Sequence, residues 1–193
     1  MYGLRKRYYK TSIIMKKKKI GKKIGIFGGS FDPPHRGHVQ IAKLSLKKLN
    51  LNQLFWAITK RNPLKKKPLL TLNDRILLSK KLVKKNKRIK IKSFDKYLKT
   101  SKTIELLKFI RNKHKNSEIF FIMGSDNIIK LHRWHNWKNF QKYCTIVVFP
   151  RRGYLNNMMI SKAYNYIKKE RIIFLKSKIV DISSSNIRKN YLL

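Results

Sequence analysis

Two histidines one helical turn apart follow a pair of glycines in the first quarter of the chain. Residues 24–42 read IGIFGGSFDPPHRGHVQIA, and they include Gly28, Gly29, His35 and His38. Glycine has no Cβ, so the backbone at these two positions can approach a ligand closely. Imidazole nitrogens bond phosphate oxygens, more strongly when the ring is partly protonated. The pattern therefore predicts a phosphate-binding loop, in which both histidines hold phosphate rather than act as a general base.

The flanking pattern places this loop between a strand and a helix. The apolar run at residues 24–27 predicts a buried strand, and the pattern becomes helical near Gly37 or His38. A helix that begins there directs free N–H groups and the positive end of its dipole toward the loop. The stretch matches neither the GxxxxGK[ST] loop nor the GxGxxG dinucleotide fingerprint.

Strands and helices alternate along the rest of the chain. Further strands are predicted at residues 54–59, 89–94, 119–123, 145–149 and 172–175, and helices after Thr71, at Thr100 or Ser101, near Ser161 and at residues 183–191. This alternation predicts an α/β fold, a doubly wound and mostly parallel sheet with helices on both faces. Ligands bind at the carboxyl ends of the strands in such sheets. Four loops should meet there: the glycine loop, residues 60–68, residues 124–127 and the turn before Ser183.

A second candidate phosphate site lies near the end of the chain. Residues 182–188 read ISSSNIR, so Ser184 and Ser185 lie at the start of the last predicted helix, with Arg188 one turn later. Serines in this position cap the helix and direct N–H and hydroxyl donors outward, and an arginine can fork onto phosphate oxygens. A capped helix with an exposed arginine is usually structural, so this motif indicates a phosphate site only in combination with the first one.

Both stretches resemble motifs of the nucleotidyltransferase superfamily that carries an HxGH sequence. The residues that match its GxFDPxHxGH signature are Gly28, Gly29, Ser30, Phe31, Asp32, Pro33, His35, Gly37 and His38; residues 182–188 match its ISSTxIR motif, with Ser185 for the usual Thr. Within the superfamily, the chain from residue 23 onward most resembles the nicotinate-nucleotide adenylyltransferases. Residues 62–65, Thr100 with Thr103, residues 124–126 and the Trp134 segment follow in that family's order.

The resemblance implies a Rossmann-like nucleotidyltransferase fold and one reaction in NAD biosynthesis. ATP and nicotinate mononucleotide would give nicotinate adenine dinucleotide and pyrophosphate. The mononucleotide phosphate attacks the α-phosphorus in line, so catalysis rests on positioning and charge stabilisation, without a nucleophilic side chain. Magnesium is the expected cofactor, held mainly by substrate phosphates rather than by protein ligands.

The resemblance also implies roles for individual residues at each substrate. His35, His38 and Arg188 would hold the triphosphate and act as the catalytic residues. The ATP site would also include Gly28, Gly29, Ser30, Phe31, Gly124, Asp126, Ser184 and Ser185, with Asp126 accepting hydrogen bonds from the adenosine ribose. The mononucleotide site would use Lys65 or Lys66 at the phosphate, Thr100 and Thr103 at the carboxylate, and Trp134 at the pyridinium ring.

The composition is strongly basic. The chain has 49 Lys and Arg against 8 Asp and Glu, a formal charge of +41, which attracts polyanions. Lys, Asn and Ile are all abundant, as expected for a coding sequence rich in A and T, so the charge reflects overall composition and most lysines should lie on a solvated surface. We therefore expect no stable nucleic-acid partner. Cys144 is the only cysteine, which excludes a disulfide framework and fits a reducing cytoplasm.

The chain is predicted to hold one domain. No apolar run approaches the roughly 18 residues needed to span a bilayer, so no membrane association is expected. Residues 1–22 contain no acid and predict a flexible basic extension, with Met15 as an alternative start. Residues 23–193 predict a single nucleotidyltransferase domain.

Departures from the family pattern keep other functions open. Arg151-Arg152-Gly153-Tyr154 stands where the family has Arg-Pro-Gly-Tyr, and Lys99 replaces a usual Tyr, so the acceptor is less fixed than ATP. Nicotinamide mononucleotide is the nearer alternative acceptor and phosphopantetheine a further one. A non-enzymatic basic nucleic-acid-binding protein would explain the charge, and the HxxH pairs at His35 and His132 leave a zinc protein as a third option. A homo-oligomer also remains open.

Overall fold

The strands form a single parallel sheet. The computed structural model describes residues 21–62, 64–84, 86–151 and 153–176, together with Ser184, Ile187 and Arg188. Within this part of the chain the strands are β1 Lys23–Gly29, β2 Gln53–Ile58, β3 Ile89–Lys92, β4 Glu118–Gly124, β5 Thr145–Phe149 and β6 Ile172–Phe174. Their order is β3-β2-β1-β4-β5-β6, and every neighbouring pair is parallel. The predicted doubly wound α/β class is confirmed.

Helices cover both faces of the sheet. One face carries α1 Arg36–Lys48 and α2 Leu72–Val83. The helices associated with the other face are α3 Asp95–Leu98, α4 Thr103–Lys113, α5 Ser125–Lys130, α6 Phe140–Tyr143, α7 Leu155–Met159 and α8 Lys162–Tyr166. Short 3-10 turns lie at Leu131–Arg133, Trp137–Asn139 and Lys169–Arg171. No helix within the described ranges is long and apolar enough to cross a membrane.

Alternate residues of β1 belong to two separate cores. Ile24 and Ile26 pack in the core that includes Ile104 of α4, whereas Phe27 packs in the core that includes Ala42 of α1. Successive side chains of a strand point to opposite faces, so a strand covered on both sides is apolar throughout. The order of strands reverses between β1 and β4, and the carboxyl ends of these two strands therefore flank the crevice in which such folds bind ligands.

Three predicted boundaries differ from the structure. Helix α4 begins at Thr103 with Lys102 as its N-cap, so a cap at Thr100 or Ser101 is wrong; Thr100 instead accepts the N–H of Lys102 on its hydroxyl. The third strand ends at Lys92, and the predicted loop at residues 150–157 already contains the start of α7. The predicted extension lies outside the described residues except for its last two, and the last predicted helix does so except for Ser184, Ile187 and Arg188, whose backbone is helical.

Candidate active site

A cleft of about 740 Å³ opens at the carboxyl edge of the sheet, between the ends of β1 and β4. The predicted site residues that line it are Gly28, Gly29, Ser30, Phe31, His38, Lys65, Thr100, Thr103, Gly124, Asp126, Trp134, Ser184 and Arg188. His35 lies directly behind His38, and Ser185 falls outside the described residues. Residues far apart in the chain thus converge at the edge where the alternation of strands and helices predicts them.

Aromatic packing shapes the glycine loop at the floor of this cleft. Phe31 has a left-handed backbone with φ of 49°, unusual for a bulky residue, and its ring packs 4.9 Å from that of Trp56. A Cβ on Gly29 would lie 3.2 Å from the Phe31 ring, and one on Gly28 would lie 3.2 Å from the Phe121 ring. A side chain at either position would press against a ring behind the loop, so the packing there favours glycine.

His35 and His38 form a stacked pair at the start of α1. Their ring centroids are 3.7 Å apart, and the backbone N–H of His35, the N-cap residue, donates to Nδ1 of His38 at 3.2 Å. With Nδ1 as an acceptor, His38 carries its proton on Nε2 and can donate it to a ligand. Nε2 of His35 is buried and has no hydrogen-bond partner among the described residues.

Both imidazoles are neutral at neutral pH. Burial, and then the positive charge of Arg151, lower the pKa of His35 to about 4. Burial also lowers the pKa of His38 well below its ordinary value, and His35, Arg151 and Lys65 lower it further. A charge-assisted bond from either imidazole to phosphate would therefore require that the ring take up a proton when phosphate binds. A phosphate placed here would supply negative charge and raise both pKa values.

Asp126 faces Arg151 at the end of β4. The Nε atom of Arg151 lies 3.5 Å from Oδ1 of Asp126, and the backbone N–H of Arg151 donates to the fully buried Ser125 hydroxyl at 2.9 Å. A Cβ on Gly124 would lie only 2.5 Å from that carboxylate oxygen and 3.2 Å from Arg151 Nε, so a larger residue there would displace the pair. Arg151 is not among the site residues that the sequence predicts, although its position two residues after the end of β5 places it at the carboxyl edge of the sheet.

Positive charge is concentrated in the cleft. Lys65 lines the cleft, and the loss of solvent around its amino group there lowers its pKa. Asp126 raises that pKa, and Arg151, Arg188 and Lys130 lower it. Like charges held this close repel one another, and a polyphosphate would relieve that repulsion.

Asp32 connects the glycine loop to two other segments. Its buried carboxylate accepts the N–H groups of Leu69 at 2.9 Å and Leu70 at 3.0 Å. Arg188 donates from Nη1 to the backbone carbonyl of Asp32 and lies 3.8 Å from its carboxylate, while the Ser184 hydroxyl donates to the Pro33 carbonyl at 3.0 Å. The second motif therefore packs directly on the first, as the two sequence signals together suggest.

Two comparisons with known proteins decide the family. The cytidylyltransferase-like family model matches residues 26–190. A relative from Pelagibacter ubique that is named as a nicotinate-nucleotide adenylyltransferase is 46% identical over 167 residues, which cover 86% of this chain and 92% of that protein. A relative of the same name from Clostridium novyi is 37% identical and covers 86% of each chain. The chain belongs to the nicotinate-nucleotide adenylyltransferase family.

The structural comparison agrees with this nicotinate-nucleotide adenylyltransferase assignment at the level of fold. The structure of Plasmodium falciparum nicotinic acid mononucleotide adenylyltransferase complexed with NaAD has a TM-score of 0.71 to this chain, covering 87% of this chain and 83% of that one. The two sequences are 21% identical, so this likeness establishes the fold alone.

In this member of the nicotinate-nucleotide adenylyltransferase family, Trp134 and the start of α4 line one part of the cleft. Trp134 is half-buried, and its ring packs edge-on against Phe121 at 6.3 Å and against Phe140 at 6.1 Å. The core fixes one side of the indole while the residue still lines the cleft. Thr103 is the first residue of α4, so its backbone N–H is one of the free donors of a helix start.

Of the two departures from the family pattern, Lys99 is next to Thr100 of the cleft, and Arg152 lies outside the described residues. Lys99, where the family usually has Tyr, follows α3 with a left-handed backbone at φ of 52°. Tyr154, two residues after Arg152, is 42% exposed. Neither departure falls within residues 24–42, which include the glycine loop and its histidines.

Proposed function

We propose that this chain transfers the adenylyl group of ATP to nicotinate mononucleotide, giving nicotinate adenine dinucleotide and pyrophosphate for NAD biosynthesis. One observation carries the proposal beyond family membership. His38, which stacks on His35, and Arg188 line the same cleft as Trp134 and Thr103, the first residue of α4. A polyphosphate and a pyridinium carboxylate require these two different environments.

The ATP end uses the glycine loop, His38 and Arg188. The free N–H groups at the start of α1, the Nε2 proton of His38 and the guanidinium of Arg188 supply donors to the triphosphate. Asp126 accepts hydrogen bonds from the ribose hydroxyls. Because Asp126 faces Arg151 at 3.5 Å, the ribose would share that carboxylate with the guanidinium.

The acceptor end uses Trp134, Thr103 and Lys65. The face of an indole attracts the cationic pyridinium ring of nicotinate mononucleotide. The start of α4 at Thr103, with the Thr100 hydroxyl close by, binds the carboxylate, which favours the acid over the amide. Lys65, or its neighbour Lys66, binds the mononucleotide phosphate.

The chemical step needs positioning rather than a protein nucleophile. An oxygen of the mononucleotide phosphate forms a bond to the α-phosphorus of ATP, and the bond from that phosphorus to the bridging oxygen breaks in line, releasing pyrophosphate. His38 and Arg188 stabilise the charge that develops on the departing phosphates.

Asp32 and Asp126 in the cleft are paired with protein groups, which fits a magnesium ion that is held mainly by the substrate rather than by these carboxylates. Both oxygens of Asp32 accept backbone N–H groups, and Asp126 faces Arg151, so these two carboxylates already have partners. Magnesium keeps several waters and binds largely through substrate phosphates in such sites, where it neutralises their charge.

Pyrophosphate release with ATP and magnesium tests the proposal. Nicotinate mononucleotide, nicotinamide mononucleotide and phosphopantetheine are compared as acceptors, and a strong preference for nicotinate mononucleotide is expected. Preference for another acceptor would keep the ATP chemistry and overturn the roles of Trp134, Thr100 and Thr103. Absence of activity with all three, together with binding to nucleic acid that weakens steeply with salt, would favour a basic nucleic-acid-binding protein instead.

A further inference from the structure

A buried arginine lies directly beneath the cleft. Arg75, in the first turn of α2, is only 1% exposed and does not belong to either sequence motif. Its guanidinium donates to five backbone carbonyls: Ser30 at 2.6 Å, Thr59 at 2.8 Å, Lys60 at 3.1 Å, Leu70 at 3.2 Å and Thr71 at 3.3 Å. A planar group with donors in a fixed fork can bind carbonyls from several directions at once.

These carbonyls belong to the two loops that carry the phosphate-binding groups. Ser30 lies in the glycine loop, five residues before His35. Thr59 and Lys60 begin the loop that carries Lys65, and Leu70 and Thr71 end it. Arg75 therefore holds both ends of the Lys65 loop and fixes them to the glycine loop.

The carboxylates of Asp32 and Asp95 bind the same two ends of the Lys65 loop. Asp32 accepts the Leu69 and Leu70 N–H groups, and Asp95 accepts the Lys60 N–H at 2.7 Å and the Thr59 hydroxyl at 2.9 Å. Burial lowers the pKa of Arg75, whereas Asp32 and Asp95 both raise it. The arginine and the two carboxylates thus bind complementary groups of the same backbone segments.

We propose that Arg75 is a positioning residue that sets the distance between the glycine loop, which holds ATP, and the Lys65 loop, which holds the acceptor phosphate. This inference rests on the proposed function, because it concerns the alignment of those two substrates. Arg75 contacts neither substrate, and its effect is transmitted through backbone carbonyls. In-line attack is sensitive to such alignment, since a displacement of about 1 Å can cost roughly 10²-fold in rate.

The test compares Arg75→Lys with Arg111→Lys. Lysine keeps the positive charge near Asp32 and Asp95, but its single amino group cannot bind five carbonyls. Arg111 is a matched control because its guanidinium also binds backbone carbonyls, those of Tyr143 at 2.8 Å and Ser117 at 2.7 Å, near the end of α4 away from the cleft. Both variants should lower the melting temperature.

Only Arg75→Lys should lower kcat, by roughly 10²-fold, when each variant is assayed well below its own melting temperature with ATP and nicotinate mononucleotide saturating. Equal kcat values for the two variants would overturn the proposal. Hydrogen exchange provides a readout that does not require turnover. The amides of Lys65, Leu69 and Leu70 should exchange faster in Arg75→Lys than in wild type, and unchanged exchange there would also overturn it.

The two proposals fail in different ways. A wild-type chain without adenylyltransferase activity would refute the proposed function, while the exchange comparison would still test the positioning role. If Arg75→Lys does not fold, the wild-type chain is measured with a non-hydrolysable ATP analogue. Binding at the glycine loop should then slow exchange in the Lys65 loop, and unaltered exchange would refute the coupling through Arg75.

Discussion

The lowered pKa of His35 predicts that acid destabilises the folded protein in a defined pH range. His35 has a pKa of about 4 in the folded chain, because of burial and Arg151, against 6.5 for the ordinary side chain. Between these values the unfolded chain binds a proton at His35 that the folded chain does not bind. Stability therefore falls as the pH drops from 6.5 toward 4 and is unaffected by this group above that range.

The expected loss is about 3 kcal/mol, since each pKa unit corresponds to about 1.4 kcal/mol. His35 is 7% exposed, so solvent screening reduces this value only modestly. A typical domain is stable by about 5–15 kcal/mol, and such a loss would be a large share of it. His38 should contribute in the same direction, because burial and His35 lower its pKa as well.

Urea unfolding followed by tryptophan fluorescence at several pH values measures this effect. His35→Gln removes the titrating group and one cause of the lowered His38 pKa. Its free energy of unfolding should therefore depend less on pH than that of wild type between about pH 7 and about pH 4, and the two should differ by a constant amount above that range. A difference between the two proteins that stays constant over the whole range would refute the neutral imidazole pair.

Three further substitutions test the site. His38→Ala should lower kcat by at least about 10²-fold while circular dichroism shows an intact fold, since removal of one charge-stabilising donor typically costs that much; near-normal turnover would remove its assigned role. Trp134→Ala should raise the KM for nicotinate mononucleotide about tenfold with little effect on the KM for ATP, and Trp134→Phe should restore most of the loss, whereas equal effects on both KM values would contradict ring stacking. Gly124→Ala should raise the KM for ATP, because its Cβ would lie 2.5 Å from Oδ1 of Asp126; an unchanged value would show that this carboxylate does not bind the ribose.

The fold could be predicted from the sequence because its signals are local. The central strands are covered on both faces and appear as uninterrupted apolar runs, and Thr71 caps α2 by accepting the N–H of Asp74, as its position before an apolar helix suggests. The general rule for parallel sheets then brings the glycine loop, Lys65, Asp126 and Arg188 to one edge. The cleft follows from topology, without knowledge of any side-chain contact.

The protonation of the histidines and the role of Arg75 could not be predicted in the same way. The pKa of His35 depends on its burial and on Arg151, a residue far along the chain. Arg75 binds Ser30, which is 45 positions away, and within the α2 pattern it cannot be distinguished from a solvated surface arginine. Both properties arise from contacts between loops, for which a single sequence carries no periodic signal.

The net charge of this chain reflects its many lysines, whereas the charge of the cleft also depends on how its few carboxylates are paired. Among the residues that the structure describes, Asp32, Asp95 and Asp126 line the cleft, where a free carboxylate would repel anionic substrates. Asp32 binds two backbone N–H groups, Asp95 binds the Lys60 N–H and two hydroxyls, and Asp126 faces Arg151. Each of these three has partners that offset its negative charge, and the first two hold the loops that carry the glycines and Lys65. The positive charge of the cleft therefore depends on how these carboxylates are paired, as well as on the abundant lysines.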